Sequence, residues 1–192
     1  MRLEGAQAYQ ISRVLRFRKG DPLILLDNSG WEYLVEISAV SDGCVLARLT
    51  ERRPAPPEPR LSVTIYQGLL KGKKFDWTLQ KGTEIGVAAF VPIACERCVA
   101  LPAEDRSGQR WGHIIQEAAE QCGRGRLPNL GPPRTFRDAC DEAARPSFLL
   151  WERPGAASLR EMLHKASWEQ TGQVGLFVGP EGGFSREEVS YA

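Results

Sequence analysis

Val174-Gly175-Leu176-Phe177-Val178 runs directly into Gly179-Pro180-Glu181-Gly182-Gly183-Phe184-Ser185, and from there into Arg186-Glu187-Glu188. The first five residues are apolar on both faces, as strands buried in a parallel sheet are. Ser185 with Glu188 three positions later is a capping box, so a helix starts there. The run therefore reads as a buried strand, a glycine-rich connection and a helix N-terminus. Open α/β sheets bind ligands beyond the carboxyl ends of their strands. Three glycines, a proline and a carboxylate at that spot suit a ligand loop with free backbone N–H groups. A tight strand-to-helix turn would use glycine as well.

Working back from this run, strands alternate with helices. Leu61-Ser62-Val63-Thr64-Ile65-Tyr66 predicts a strand, Phe75–Ile85 a helix closed by Gly86, and Phe90-Val91-Pro92-Ile93 a short strand. In Arg110–Gly123 the apolar residues Trp111, Ile114, Ile115, Ala118, Ala119 and Cys122 recur at helical spacing. Phe148-Leu149-Leu150-Trp151 predicts a strand, and Ser158-Leu159-Arg160-Glu161 opens a helix with a second capping box. Such alternation predicts a parallel sheet covered by helices, an α/β fold. Glu51–Arg60, with four prolines in ten residues, predicts an extended connector. Ahead of it, Pro22–Leu26, Trp31–Ile37 and Cys44–Leu49 are strands with turn residues between them. They predict a small antiparallel β module, read as a barrel.

Composition sets bounds on what this can be. The chain has 192 residues, 42% hydrophobic and 26% charged, with a net charge of +1, which excludes a disordered chain. No apolar run approaches the ~18 residues of a membrane helix, and Met1-Arg2-Leu3-Glu4-Gly5 lacks a secretory core. Five cysteines do not make a disulfide scaffold, so reduced thiols and a cytoplasmic location are expected.

Familiar nucleotide loops fail on spacing. Gly68-Leu69-Leu70-Lys71-Gly72-Lys73 has three residues between its glycines where a P-loop needs four, and no G-x-G-x-x-G follows a strand. Cys95-Glu96-Arg97-Cys98 is half of a zinc or redox site without a second close pair, so no metal is expected. Basic residues gather at Arg13, Arg16, Arg18 and Lys19, and at Lys71, Lys73, Lys74 and Lys81. They are either solvated faces or a surface for a phosphate backbone. Glu117, Gln121 and Arg124 form a polar stripe, with Gly123 and Gly125 around the arginine. That stripe is either an exposed helix face or part of a site.

Taken in order, Val14-Leu15-Arg16 with Gly20-Asp21, Gln80-Lys81-Gly82-Thr83-Glu84-Ile85-Gly86-Val87, Pro92, Glu96-Arg97, Glu117–Arg124 and Gly179–Ser185 form a specific series. The series resembles the bacterial ribosomal RNA small subunit methyltransferase E family over nearly the whole chain. The resemblance implies a PUA-like β-barrel at residues 1–52, a linker at 53–60 and a SPOUT methyltransferase domain with a trefoil knot at 61–192. It implies transfer of a methyl group from S-adenosylmethionine to N3 of a uridine in 16S rRNA. The implied partners are the rRNA or small subunit and a second copy of the chain. Leu150, Trp151, Glu152, Val178, Gly179, Glu181, Gly182 and Gly183 then become cofactor residues. Arg124 would stabilise the uracil anion and Glu117 take its proton, while Arg13, Arg16, Arg18, Lys71, Lys74, Lys81 and Arg97 would contact RNA. The family's closing motif, Leu-Gly-x-Arg-Ile-Leu-Arg-x-Glu-Thr-Ala, does not occur in these residues. From this, a chain lacking the last part of the knot and one wall of the pocket is expected. A non-catalytic RNA-binding protein is the competing reading.

Overall fold

Val35 and Ile37, two positions apart and therefore on one face of a strand, are buried together with Val45 and Ala47 of the next strand. In the computed structural model they anchor an antiparallel sheet. The structure describes residues 1–99, 104–152, 157–166 and 172–192, with backbone alone for 104–107. The chain divides into two units: Met1–Pro57 with Gly123–Arg126, and Glu58–Cys122 with Leu127–Ala192.

In the first unit, β1 (Arg2–Glu4), β2 (Pro22–Leu26), β3 (Trp31–Ser41) and β4 (Cys44–Pro54) form a sheet in the order β1-β4-β3-β2. Helix α1 (Gly5–Tyr9) continues into a π-helical turn over Gln10–Val14. Ala8 and Ile11 from this segment cover Ile37 and Val45. The strand Arg2–Glu4 and this helical stretch are too short to carry a periodicity, and sequence reading passes over them.

The proline-rich connector expected from Glu51 starts later than the proline count suggests. β4 runs on to Pro54, with Arg53 opposite Glu32 and Pro54 opposite Trp31. Arg53 Nε donates to the Glu32 carboxylate at 2.8 Å, and Glu32 is only 7% exposed. Arg53 and Pro54 thus belong to the sheet, because a cross-strand partner outweighs local composition.

In the second unit, β5 (Ser62–Gly68), β6 (Ala89–Ala94), β7 (Asn129–Leu130), β9 (Ser147–Leu150) and β10 (Gln173–Val178) are all parallel, in the order β7-β6-β5-β10-β9. The two-residue β8 (Arg134–Thr135) also pairs with β6. The expected parallel sheet is therefore present. Its two faces have separate cores. Tyr66, Ile93, Phe136 and Phe177 fill one, with Tyr66 stacked on Phe177 at 4.4 Å. Leu79, Phe90, Trp111 and Ile115 fill the other, contributed partly by α2 (Lys74–Glu84) and α3 (Glu104–Cys122). Three further helices, α4 (Phe136–Glu142), α5 (Leu159–Lys165) and α6 (Arg186–Tyr191), begin at side-chain caps on Thr135, Ser158 and Ser185. α3 starts six residues ahead of the expected Arg110, in a stretch with no apolar residue to reveal it.

Gly82 lets α2 approach the sheet. A Cβ there would sit 2.6 Å from the ring of the fully buried Phe90. Gly82→Ala would gain up to ~1 kcal/mol of helix propensity, but the ring has no room to move. Overpacking should prevail, with a net loss of about 1–2 kcal/mol in urea unfolding.

Candidate functional site

The carboxyl ends of β9 and β10 open into a cavity of about 880 Å³. Its walls are Leu149, Leu150, Trp151 and Glu152 after β9, and Val178–Phe184 after β10. Leu159 and Met162 of α5, Arg186 and Val189 of α6, and Arg97 complete them. Its size falls within the 300–1,000 Å³ typical of small-molecule sites.

The glycine-rich loop is held from below, from one side and from behind. Below it, Gln67 is 4% exposed, and its Nε2 donates to the carbonyls of Gly68 at 3.0 Å and of Val178 and Gly179 at 3.3 Å. At the side, Glu181 accepts from Lys74 Nζ at 2.9 Å and from the Lys71 backbone N–H at 3.3 Å. The Lys74 ammonium beside it, together with nearby backbone N–H groups, holds the Glu181 carboxyl below its ordinary value. Behind, Arg97 Nη1 donates to the Gly182 carbonyl at 2.9 Å. The Glu188 carboxylate accepts from Ser185 N–H and from Glu96 N–H, both at 2.8 Å. Gly183 has φ +66, and a Cβ added to it would meet open space. Glycine is therefore required there by conformation, not by crowding.

All eight residues expected to bind a cofactor, Leu150, Trp151, Glu152, Val178, Gly179, Glu181, Gly182 and Gly183, line this one cavity. Glu117 is exposed on α3 and Arg124 is half-buried just after it; neither lines the cavity. The glycines around Arg124 have backbone reasons. Gly123 takes φ +70 directly after the helix, and Gly125 accepts from Gly30 N–H at 3.1 Å in a place with no room for a Cβ. Of the basic residues, Arg13 pairs with Asp42 at 3.3 Å and Lys81 with Glu84 at 2.7 Å, while Lys74 is taken up by Glu181. Arg16, with φ +58, Arg18 and Lys71 have exposed side chains. Arg97 is the one expected RNA contact that lines the cavity. Sequence reading misses Gln67, which carries no motif, and the apolar Leu159, Met162 and Val189, whose helical spacing says only that they face inward.

Among the described residues no group of three or more His, Cys, Asp or Glu could hold a metal, and no helix is long and apolar enough to cross a membrane.

A parallel sheet with a glycine-framed cavity at its carboxyl edge agrees with comparison to known proteins. Residues 56–192 match the family model of the RNA methyltransferase domain. The chain is 33% identical over 193 residues to the ribosomal RNA small subunit methyltransferase E of Synechocystis sp., covering 99% of this chain and 62% of that protein. It is 30% identical over 200 residues to the protein of the same name from Bacillus subtilis, covering 97% and 76%. The chain thus belongs to the ribosomal RNA small subunit methyltransferase E family, and it spans less than two thirds of the Synechocystis relative's length. Its fold overlays that family's enzyme from Neisseria gonorrhoeae, solved bound to S-adenosyl methionine, at a TM-score of 0.89 and 27% identity. That match covers all of this chain and 78% of the other. A Legionella pneumophila methyltransferase in complex with the same cofactor matches equally well, at 0.89 and 28%.

Two outcomes follow from the loop's fastenings. Gln67→Leu removes the donor to three carbonyls and should destabilise the chain by about 1–3 kcal/mol in chemical unfolding. Glu181 should titrate below its ordinary 4.5 when its carboxyl carbon is followed by NMR. Because its folded value is depressed, its contribution is complete above 4.5 and fades as the pH drops through the folded value. Lys74→Met should move the midpoint back toward 4.5.

Proposed function

We propose that this chain binds S-adenosylmethionine in the cavity at the ends of β9 and β10 and methylates N3 of a uridine in 16S rRNA. The observation that carries this reading is the convergence of the eight expected residues on one cavity of fitting size. Two relatives of the same fold solved with that cofactor support it.

The residues present fit such a ligand. Leu149, Leu150, Met162 and Phe184 offer apolar contact for an adenine. Gly179, Gly182 and Gly183 leave their part of the rim free of side chains, so a ligand can approach the backbone there. Glu152 and Glu181 supply negative charge for a ligand that bears a sulfonium and an ammonium group. The cofactor, when bound, supplies an electrophilic methyl group. The chain has to hold the base in line with it and manage the N3 proton, since uracil N3–H is a weak acid. In this reading the Arg124 guanidinium stabilises the negative charge left on the base, and the Glu117 carboxylate takes the proton from N3. Neither lines the cavity of the single chain.

The same reading makes the first unit a PUA-like barrel that contacts RNA through Arg13, Arg16 and Arg18. It makes residues from Leu61 onward a SPOUT domain with a trefoil knot. Lys71, Lys74, Lys81 and Arg97 extend the RNA surface, the working form is a homodimer, and the compartment is the cytoplasm.

Isothermal titration with S-adenosylmethionine tests the first step. Micromolar binding is expected, with a loss of about tenfold or more in Leu150→Glu, which places a charge in the apolar wall. No binding by the wild-type chain would overturn the cofactor reading. With 16S rRNA as acceptor, Arg124→Ala should lower kcat by about 10²–10³-fold while leaving cofactor affinity unchanged; a wild-type rate would remove Arg124 from the mechanism.

A further inference from the structure

The Cys95-Glu96-Arg97-Cys98 run, which methyl transfer leaves unused, lies behind the cavity loop. Cys98 N–H donates to the Cys95 carbonyl at 3.0 Å, closing a four-residue turn. Cys95 N–H donates to Cys98 Sγ at 3.2 Å. The Cys98 thiol in turn donates to the Ile93 carbonyl at 3.7 Å. Both residues between the cysteines are fastened to the cavity side. Glu96 N–H donates to Glu188 at 2.8 Å and Arg97 Nη1 to the Gly182 carbonyl at 2.9 Å. Cys95 is buried in one cluster with Phe177 and Phe184, whereas Cys98 is half-buried at its margin.

We propose that Cys95 and Cys98 are a redox modification site, closing to a reversible disulfide that fixes the turn holding Arg97 against the cofactor cavity. A low-molecular-weight disulfide such as oxidised glutathione is the oxidant. The Cys98 thiolate attacks one of its sulfurs, forming a mixed disulfide and expelling one thiolate. Cys95, losing its proton to solvent, attacks Cys98 Sγ and expels the second. The two protein thiols are oxidised by two electrons, and one external disulfide is reduced to two thiols. The existing turn already places Cys98 Sγ against the Cys95 backbone, and ring closure gives up the weak Cys98 S–H bond to Ile93. Cys140 lies against the same cluster, and burial pushes both its thiol and that of Cys95 up. Proximity rather than acidity selects Cys95, because the four-residue turn holds it against the Cys98 sulfur. Ordering Arg97 in advance removes part of the entropy loss on binding, so the oxidised form holds the cofactor more tightly. This coupling rests on the proposed cofactor site; the disulfide itself does not.

The test uses the full chain, incubated with oxidised glutathione, alkylated with iodoacetamide and digested for mass spectrometry. The peptide containing both cysteines should lose two hydrogens and escape alkylation, and dithiothreitol should reverse this. Cys98→Ser should abolish the change and Cys140→Ser leave it intact. A persistent glutathione adduct on Cys98, or a Cys95–Cys140 link, would overturn the site. Titration with S-adenosylmethionine should then give about three- to tenfold tighter binding by the oxidised form, a difference that Arg97→Ala removes. Equal affinities in the two states would overturn the coupling. Binding by neither state would sink the cofactor reading and the coupling with it, while the mass measurement still decides the disulfide.

Discussion

Everything in the second unit depends on where Gln173–Val178 enters the sheet. This strand lies between Ser62–Gly68 and Ser147–Leu150, parallel to both, with Val178 opposite Gln67 on one side and Leu150 on the other. Its two neighbours are separated from each other by about eighty residues of chain, so the ladder closes a long loop before any contact rewards it. Once closed, it places two loop origins, Leu150 and Val178, next to each other at the same edge. The cavity is a consequence of that register. A slip by one residue would turn Val174 and Phe177 out of their cores and separate the loops.

The cavity loop shows how a polar group can be buried to good effect. Gln67 is a buried polar residue whose amide reaches three backbone carbonyls at the end of the sheet. Around the rim, charged residues are held in structural tasks. Lys74 is engaged by Glu181 and Arg97 by a backbone carbonyl, so positive charge near the site first organises the loop and is only secondarily available to a polyanion. Charge counting along a sequence does not separate these uses, because it cannot see which carboxylate folds against which ammonium.

Local signals were reliable where the cause was local. The capping boxes at Ser158 and Ser185 form as read, with both hydrogen bonds made in each. Gly86 ends α2 with φ +93, and Val174–Val178 is a buried parallel strand. Reading went astray where a distant partner decides. β4 extends through Pro54 because β3 pairs with it, and β1 exists only because Cys44–Leu46 offers an edge. Gly123 and Gly125, on either side of Arg124, serve a helix end and a close backbone approach that no local pattern shows.

By itself, the sequence determined the α/β class, the glycine-rich loop at a strand's carboxyl end and the family, because each is written in short patterns of residue type and order. Tertiary structure decided which loops meet. It gathered eight predicted residues around one cavity and left Glu117 and Arg124 off its walls. It also set Gln67 and Arg97 as hydrogen-bonding supports of the loop. The division has a physical cause. Turn, cap and strand preferences act over a few residues, whereas parallel strand order and the hydrogen bonds of a buried amide join segments separated by many tens of residues.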